Sequence, residues 1–445
     1  MSAVRKTRRK DLVVGLGATG LSIARYLARN GQDAIYCDTR EAPPGLDDLR
    51  ALVPDADIRL GDPKIPAGVA RVIASPGVPA SHPLFARARK RGIEVVSDIE
   101  LFASEAEAPF VAITGSNGKS TVTTLVAMMC EAAGRRVKAG GNLGEPALDL
   151  LTGEVPDVYV LELSSFQLQR TAHLPAAVSV LLNISADHLD WHADEAEYRE
   201  AKYRVYGQAV AAVYNREDAE ASRRAAGAER TISFGLDEPA EGQYGIRVVD
   251  GTPFLARGGE PLLATAELAL IGTHNQANAL AALAAGELAG LPVAPMLQVL
   301  TEFPGLPHRM QRVATRRGVD FVNDSKATNV AAAIASIRSL KGDLVLIAGG
   351  VGKGATFEEL GAALEGRLRA AVLIGESAPA IEAALDTVKP VYVAADMDDA
   401  VERAAAFAEK GDTVLLAPAC ASFDMFANYG ARGEAFAAAV RGLGR

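Results

Sequence analysis

Phe110-Val111-Ala112-Ile113-Thr114-Gly115-Ser116-Asn117-Gly118-Lys119-Ser120 decides how the rest of this sequence reads. Its first five residues suit a buried strand, and Thr121 to Ala133 carry the periodicity of a helix. Between them, glycines and small polar residues let consecutive backbone N–H groups wrap phosphate oxygens at the helix N-terminus. Lys119 can reach a transferring phosphoryl group, and Ser120 can hold Mg²⁺. A phosphate loop of the usual length has glycine five positions before its Gly-Lys pair. Here that position is Ile113, so the loop is a shortened variant.

Two more glycine-rich loops follow strands. Gly15, Gly17 and Gly20 fit G-x-G-x-x-G between the strand at Val13-Val14 and a helix from Leu21 to Asn30. Leu344 to Ala348 runs into Gly349-Gly350-Val351-Gly352-Lys353-Gly354. Short β-branched runs alternate with alanine-rich helical patterns from end to end, which predicts an α/β fold of parallel sheets covered by helices. A chain of 445 residues is too long for one core, and length suggests about three domains. The breaker cluster Pro304-Gly305-Leu306-Pro307 and the acidic stretch before Pro109 place the domains at 1–104, 105–306 and 307–445. Between about Gly227 and Glu260, glycine and proline thicken, which reads as a small β excursion in the middle domain.

The first loop alone reads as a dinucleotide fingerprint, with Asp38 at the spacing of a ribose-binding acid. A tight turn without ligand is its bland alternative. In the second unit, the strand Val158–Leu161 runs into Glu162, where a Mg²⁺ ligand belongs in such folds. A further strand, Val178 to Asn183, leads to Asp187-His188-Leu189-Asp190, and His188 reads as a metal ligand beside the same cleft. Lys202 lies on a helix over roughly 196–208 and by composition is a surface lysine. Asn275 and Asn278, three apart at the start of an alanine-rich helix, either cap that helix or read an adenine edge. In the third unit, the polar cluster Asn323 to Asn329 follows the strand Val319–Val322. Polar residues at a strand end line a crevice, and Arg309, Lys326 and Lys353 make it positive. Cys420, after the strand Thr413–Ala417, lacks a paired base and reads as packing.

A net charge of −9 argues against a general nucleic-acid binder, which needs a basic face. Cys37, Cys130 and Cys420 lie far apart and match no metal-ligand spacing, as expected of reduced thiols in a cytosolic protein. The basic run Arg5 to Lys10 lacks the apolar stretch of a signal peptide and reads as a solvated tail. No segment approaches the about 18 apolar residues of a membrane span. A cytoplasmic monomer without membrane insertion is expected.

Taken together, these motifs resemble the Mur ligase family over essentially the whole chain. The pointers are Gly15 to Ser22, Asp38-Thr39-Arg40, Ser75-Pro76-Gly77-Val78 and Asp98 to Phe102, with Glu162 to Leu168, Asn323 to Asn329 and Pro418 to Asp424. The resemblance implies three domains: a Rossmann-like UDP-binding domain, a central P-loop-type ATPase domain and a C-terminal Rossmann-like domain. It turns the dinucleotide fingerprint into a UDP site. Within the family, the motifs are similar to those of the member that joins D-glutamate to UDP-N-acetylmuramoyl-L-alanine through an acyl phosphate, using ATP and two Mg²⁺. The implied UDP-substrate contacts are Gly17, Ala18, Thr19, Asp38, Thr39, Arg40, Ser75, Gly77 and Asn142. Gly115, Ser116, Asn117, Gly118, Lys119, Ser120 and Thr121 would hold ATP, with Asn275, Asn278, Arg309 and Asp324. Ser120, Glu162, His188 and a carbamylated Lys202 would serve the metals; Lys119, His188 and Lys202 would be catalytic. Lys326, Thr328, Lys353, Ser422 and Tyr429 would hold D-glutamate. Val351 stands where the family motif usually has aspartate, and Tyr429 where better-known members have phenylalanine. Rival readings are a sibling amide ligase, one acting on folate included, and a nicotinamide-dependent oxidoreductase using Gly15 to Gly20.

Overall fold

Strand runs buried on both faces need no polar alternation, and the chain supplies several; Leu344–Gly349, for example, is buried at every position. The computed structural model describes residues 10–61, 64–185, 187–188, 191–270, 272–385 and 390–443. The basic residues Arg5 to Arg9 and Asp190 lie outside them, while Lys10 opens the first strand.

Among the described residues the strands form three sheets. The first contains β1 (Lys10–Val14), β2 (Ala34–Cys37), β3 (Asp57–Arg59), β4 (Val69–Ala74) and β5 (Glu94–Ser97), all parallel, in the order β3-β2-β1-β4-β5. The second runs from β6 (Phe110–Thr114), β7 (Val137–Gly141), β8 (Val158–Glu162) and β9 (Val178–Leu181) to β10 (Ala211–Asn215) and β11 (Arg230–Phe234). It continues through β12 (Tyr244–Val249), β13 (Thr252–Arg257) and β14 (Glu260–Ala264), which pair antiparallel. These last strands are the β excursion expected from composition, and they extend the parallel sheet at one edge. The third contains β15 (Gln311–Arg316), β16 (Val319–Asn323), β17 (Leu344–Gly349), β18 (Leu368–Ile374), β19 (Val391–Val393) and β20 (Thr413–Leu416). Its order is β15-β16-β20-β17-β18-β19.

In each sheet a glycine-rich loop leaves an interior strand (β1, β6 or β17) that lies beside a strand from later in the chain: β4, β9 and β20 respectively. This is where open α/β sheets expose a crevice. The sharp turns set the first helix three residues, and the second two residues, earlier than the periodicity suggests. The first helix is Ala18–Arg29, and the second is Lys119–Ala132.

The first two sheets share apolar packing. Leu16, Phe102, Phe110, Leu150, Tyr159 and Tyr203 belong to one continuous buried cluster. Phe102 meets the Phe110 and Tyr159 rings edge-on at centroid distances of 5.7 and 5.1 Å. The third sheet has buried clusters of its own on either face. The three cysteines are buried, as packing residues are; burial pushes the Cys420 thiol up to about 11. No helix among the described residues is long and apolar enough to cross a membrane.

One close approach fixes the first loop. A Cβ at Gly20 would stand 2.0 Å from the Gly15 carbonyl oxygen. Gly→Ala within a helix normally stabilises by about 0.5–1 kcal/mol. Gly20→Ala should instead lower stability by about 1–3 kcal/mol, as overpacking does, read from the urea midpoint; an unchanged or raised midpoint would refute the contact.

Candidate functional site

The phosphate loop is held by its own sheet. At the end of β9, Asn183 accepts from the Asn117 N–H at 2.9 Å and donates to the Asn117 carbonyl at 3.1 Å. Ser116 Oγ sits 2.7 Å from the Tyr198 hydroxyl. Gly118 is left-handed, with φ of 83°, and forms the N-terminal boundary of the helix without a side-chain cap. The first-turn amides of that helix, Ser120 and Thr121 included, therefore stay available for an anion.

Two adjoining cavities open beside this loop. The larger, of about 300 Å³, runs from Ser116 to Ser120 past Glu162, His188 and Lys202 to Thr328, Lys353, Ser422 and Tyr429. The smaller, of about 140 Å³, is lined by Asn117, Gly118, Thr121, His274, Asn275, Asn278 and Asp324. Arg309 and Lys326 line both. The predicted nucleotide, metal and amino-acid positions thus converge on one cleft between the second and third sheets.

Lysines crowd it. Lys119 Nζ donates to the carbonyls of Gly115 at 2.9 Å and Ser116 at 2.8 Å. Lys202, fully buried rather than at the surface, donates to the same Gly115 carbonyl at 2.8 Å. Burial, and then the Lys119 ammonium, push Lys202 well below the ordinary lysine range. Burial lowers Lys119 as well. Lys326 lies over the Tyr429 ring at 4.2 Å and is brought down to about 8, mainly by burial.

Anions face these cations. Glu162 is buried at the end of β8; its Oε1 accepts from Asn142 at 2.7 Å, and its Oε2 is buried without a hydrogen-bond partner. A carboxylate oxygen left bare on a cavity wall that Ser120 and His188 also line suits a hard cation that takes oxygen ligands. Among the described residues no three His, Cys, Asp or Glu side chains form a metal cage. A magnesium ion, which keeps waters and phosphate oxygens as ligands, does not require one. His188 adopts a positive φ of 54°, with Nε2 3.7 Å from Asp187 Oδ2 and its ring edge-on to Phe166.

Asn275 and Asn278 do not cap their helix. Thr273–Leu288 begins after Gly272 without a side-chain cap. Both asparagines are buried, joined at 3.1 Å, and Asn278 fills the space beside Gly118. From the third unit, Arg309 Nη2 donates to Ser120 Oγ at 2.8 Å, and Asn329 Nδ2 donates to Asp187 at 3.0 Å. Asp324 accepts from the Met310 N–H and from Ser336; burial raises its pKa.

The UDP-side positions sit elsewhere, apart from Asn142. Asp38 accepts from the Leu16 N–H at 2.7 Å, from the Arg40 N–H at 2.9 Å and from the Arg40 guanidinium. Burial raises its pKa, but these donors outweigh burial and hold the carboxyl below its usual range. Gly17, Ala18 and Thr19 form the uncapped start of the first helix. Thr39, Arg40 and Gly77 are exposed, and Ser75 is buried after β4. None of these eight lines either cavity.

Sequence reasoning missed three residues. Tyr198 braces Ser116 and lies against Lys202. Asn329 was seen only as part of a cluster. Arg432 is almost wholly buried and donates to the Ser325 carbonyl at 2.8 Å and to the Cys420 carbonyl at 3.1 Å, joining two loops of the third unit. An arginine on the apolar face of an alanine-rich helix was the available signal.

Three family models match in chain order. They are the Mur ligase MurD-like N-terminal domain over residues 9–97, the Mur ligase middle domain over 113–286 and the Mur ligase glutamate ligase domain over 308–420. The chain belongs to the Mur ligase family. A Nitrosococcus oceani relative named UDP-N-acetylmuramoylalanine–D-glutamate ligase is 50% identical, covering 97% of this chain and 96% of its own. A Pseudomonas aeruginosa relative of the same name is 48% identical, covering 97% and 98%. Among solved structures, Thermotoga maritima UDP-N-acetylmuramate-alanine ligase superposes with a TM-score of 0.60 at 19% identity, covering 97% of this chain and 99% of that one. The Thermotoga maritima MurF ligase in complex with ADP gives 0.60 at 16% identity, covering 92% and 95%. These likenesses show the Mur ligase fold.

Because a Cβ at Gly118 would stand 2.3 Å from Asn278 Oδ1, Gly118→Ala should distort the nucleotide side of this ligase. ADP affinity by calorimetry should fall by tenfold or more, about 1.4 kcal/mol. Wild-type affinity in the variant would refute that geometry.

Proposed function

We propose that this Mur ligase joins D-glutamate to UDP-N-acetylmuramoyl-L-alanine in cell-wall precursor synthesis, forming ADP and phosphate. The observation that carries the reading is the single cleft. It joins a phosphate loop, a buried acid with a bare oxygen and a third-sheet pocket containing Lys326, Thr328, Lys353 and Ser422. The full-length relatives named for this activity support the substrates.

In this reading 1–104 binds the UDP substrate, 105–306 binds ATP, and 307–445 binds D-glutamate and closes over the nucleotide. Gly17, Ala18, Thr19, Asp38, Thr39, Arg40, Ser75 and Gly77 take the uridine end, and Asn142 the sugar-peptide part. Gly115 to Thr121 wrap the ATP phosphates, with Asn275 and Asn278 at the adenine and Arg309 and Asp324 reaching over from the third unit. The L-alanyl carboxylate attacks the γ-phosphorus, ADP departs, and an acyl phosphate forms. The D-glutamate amine then attacks the acyl carbon, and phosphate leaves from a tetrahedral intermediate. Lys119 and Arg309 balance charge on the transferring group; positioning supplies much of the rest. Two Mg²⁺, held by Ser120, Glu162, His188 and a carbamate on Lys202, would neutralise the phosphate oxygens. A lysine driven toward its neutral amine is the form that adds to carbon dioxide, so the burial of Lys202 favours that modification. Lys326, Thr328, Lys353, Ser422 and Tyr429 hold D-glutamate. In this reading the enzyme is cytoplasmic and acts as a monomer.

Purified protein given ATP, Mg²⁺ and UDP-N-acetylmuramoyl-L-alanine should release phosphate with D-glutamate and stay silent with L-glutamate, L-lysine or meso-diaminopimelate. Release with another amino acid would move the chain to a sibling activity, and no release with any would overturn the ligase reading. For the carbamate, Lys202→Ala should lose at least about a hundredfold in kcat, an effect of roughly 2.7 kcal/mol. Short-chain carboxylic acids should partly restore it; absence of rescue counts against the modification.

A further inference from the structure

Directly after Glu162 the chain makes the short helix Ser165–Leu168 and then runs along the first unit. Arg170 crosses from this segment to the loop after β4. Its Nη1 donates to the Ser75 carbonyl at 2.9 Å, and its Nη2 donates to the Val78 carbonyl. The guanidinium also lies 4.5 Å from the centroid of the Phe85 ring. On the other side of the same loop, Gly15 approaches so closely that a Cβ there would stand 2.9 Å from Ser75 Cβ. The loop is clamped between the first glycine loop and an arginine that the middle unit supplies, with Gly77 exposed at its tip.

Neutral carbonyls are costly partners for a half-buried cation, and burial lowers this guanidinium to about 10. What such a fork provides is geometry. Two donors of a planar group, fixed on two carbonyls of one turn and stacked on a ring, set the position and tilt of that turn. The neighbouring contacts run the same way. Gln167 Nε2 donates to Asp98 at 3.3 Å, and the Ser97 and Thr171 hydroxyls meet at 2.8 Å. A short run of chain from Glu162 to Arg170, and then two hydrogen bonds, therefore join the buried acid to the loop holding Ser75 and Gly77.

We propose that Arg170 is a positioning residue that fixes the Ser75–Val78 loop and thereby the fit of the uridine-diphosphate end of the substrate. The inference rests on the ligase reading above for its substrate, but UDP itself provides a probe that needs no turnover.

UDP binding by calorimetry and the three KM values are measured for wild type, Arg170→Ala, Arg170→Lys and Thr171→Ala. Arg170→Lys keeps the charge but reaches at most one carbonyl; Thr171→Ala loosens the same seam without touching the loop. Arg170→Ala should weaken UDP binding and raise KM for the UDP substrate roughly tenfold. KM for ATP and D-glutamate should stay within about twofold, Arg170→Lys should fall between, and Thr171→Ala should match wild type. If Arg170→Ala does not fold, the lysine variant alone must show the selective loss. The inference falls if UDP affinity is unchanged, if all three KM values rise together, or if Thr171→Ala is as impaired. A wild type that binds no UDP overturns it too, whereas one that binds UDP but releases no phosphate overturns only the ligase reading.

Discussion

Two lysines share one carbonyl. Lys119 and Lys202 both donate to Gly115 O, from different helices, in a cleft that Arg309 and Lys326 also line. Two ammonium groups at this spacing repel, and burial removes the water that would screen them. Attraction from Glu162 and Asp187 offsets part of this repulsion, and deprotonation of one lysine or anions brought into the cleft would relieve the rest. Nucleotide phosphate, a substrate carboxylate and a carbamate are all anions of that kind. The cleft thus carries an electrostatic demand that the anions of the proposed reaction would meet.

That demand explains how the units are joined. The first two sheets meet through an apolar cluster, with Phe102 wedged between Phe110 and Tyr159. The contacts of the third unit described at the cleft are polar: Arg309 to Ser120, and Asn329 to Asp187. Apolar packing resists separation, whereas a few hydrogen bonds at an open cleft exchange readily with ligand oxygens. Ser120 Oγ, engaged by Arg309, is one of the atoms a metal–nucleotide complex would claim. In the proposed reading, two of the contacts that attach the third unit therefore involve groups that the ligand would also use, as closure on a nucleotide would require.

The three glycine loops were legible because a sharp turn between a buried strand and a helix admits few residue types. Gly20 and Gly118 leave no room for a Cβ, and the sequence records that directly. The polar residues at strand ends were legible for the same topological reason. Lys202 was not, because periodicity on a polar nine-residue helix does not reveal that its inner face meets another loop. Only the family resemblance singled it out. Asn275 and Asn278 stayed ambiguous, since an asparagine near a helix start caps or binds with equal ease; the uncapped Gly272 boundary removes the capping role. Arg170 was invisible because its hydrogen-bond partners are backbone carbonyls, which every residue carries, whereas Arg432 left a trace as a charge on the apolar face of an alanine-rich helix.

Backbone partnership also accounts for the two unusual residues of the amino-acid end. Val351 N–H donates to the Ala421 carbonyl at 2.9 Å, and the Ala421 N–H returns the bond at 3.0 Å. This position joins the Gly349–Gly354 loop to the Ser422 loop through its main chain, so valine preserves the joint while removing the acid that related motifs place there. Tyr429 keeps an aromatic face beneath the Lys326 ammonium, the contact that phenylalanine would also make. Its hydroxyl adds a donor at the rim of the same cavity. Both changes leave Lys326, Lys353 and Ser422 in place around a pocket that is positive by construction. In the proposed reading, selection for an amino acid with two carboxylates would then rest on Lys326 and Lys353, with the loops held by main-chain bonds that tolerate either residue.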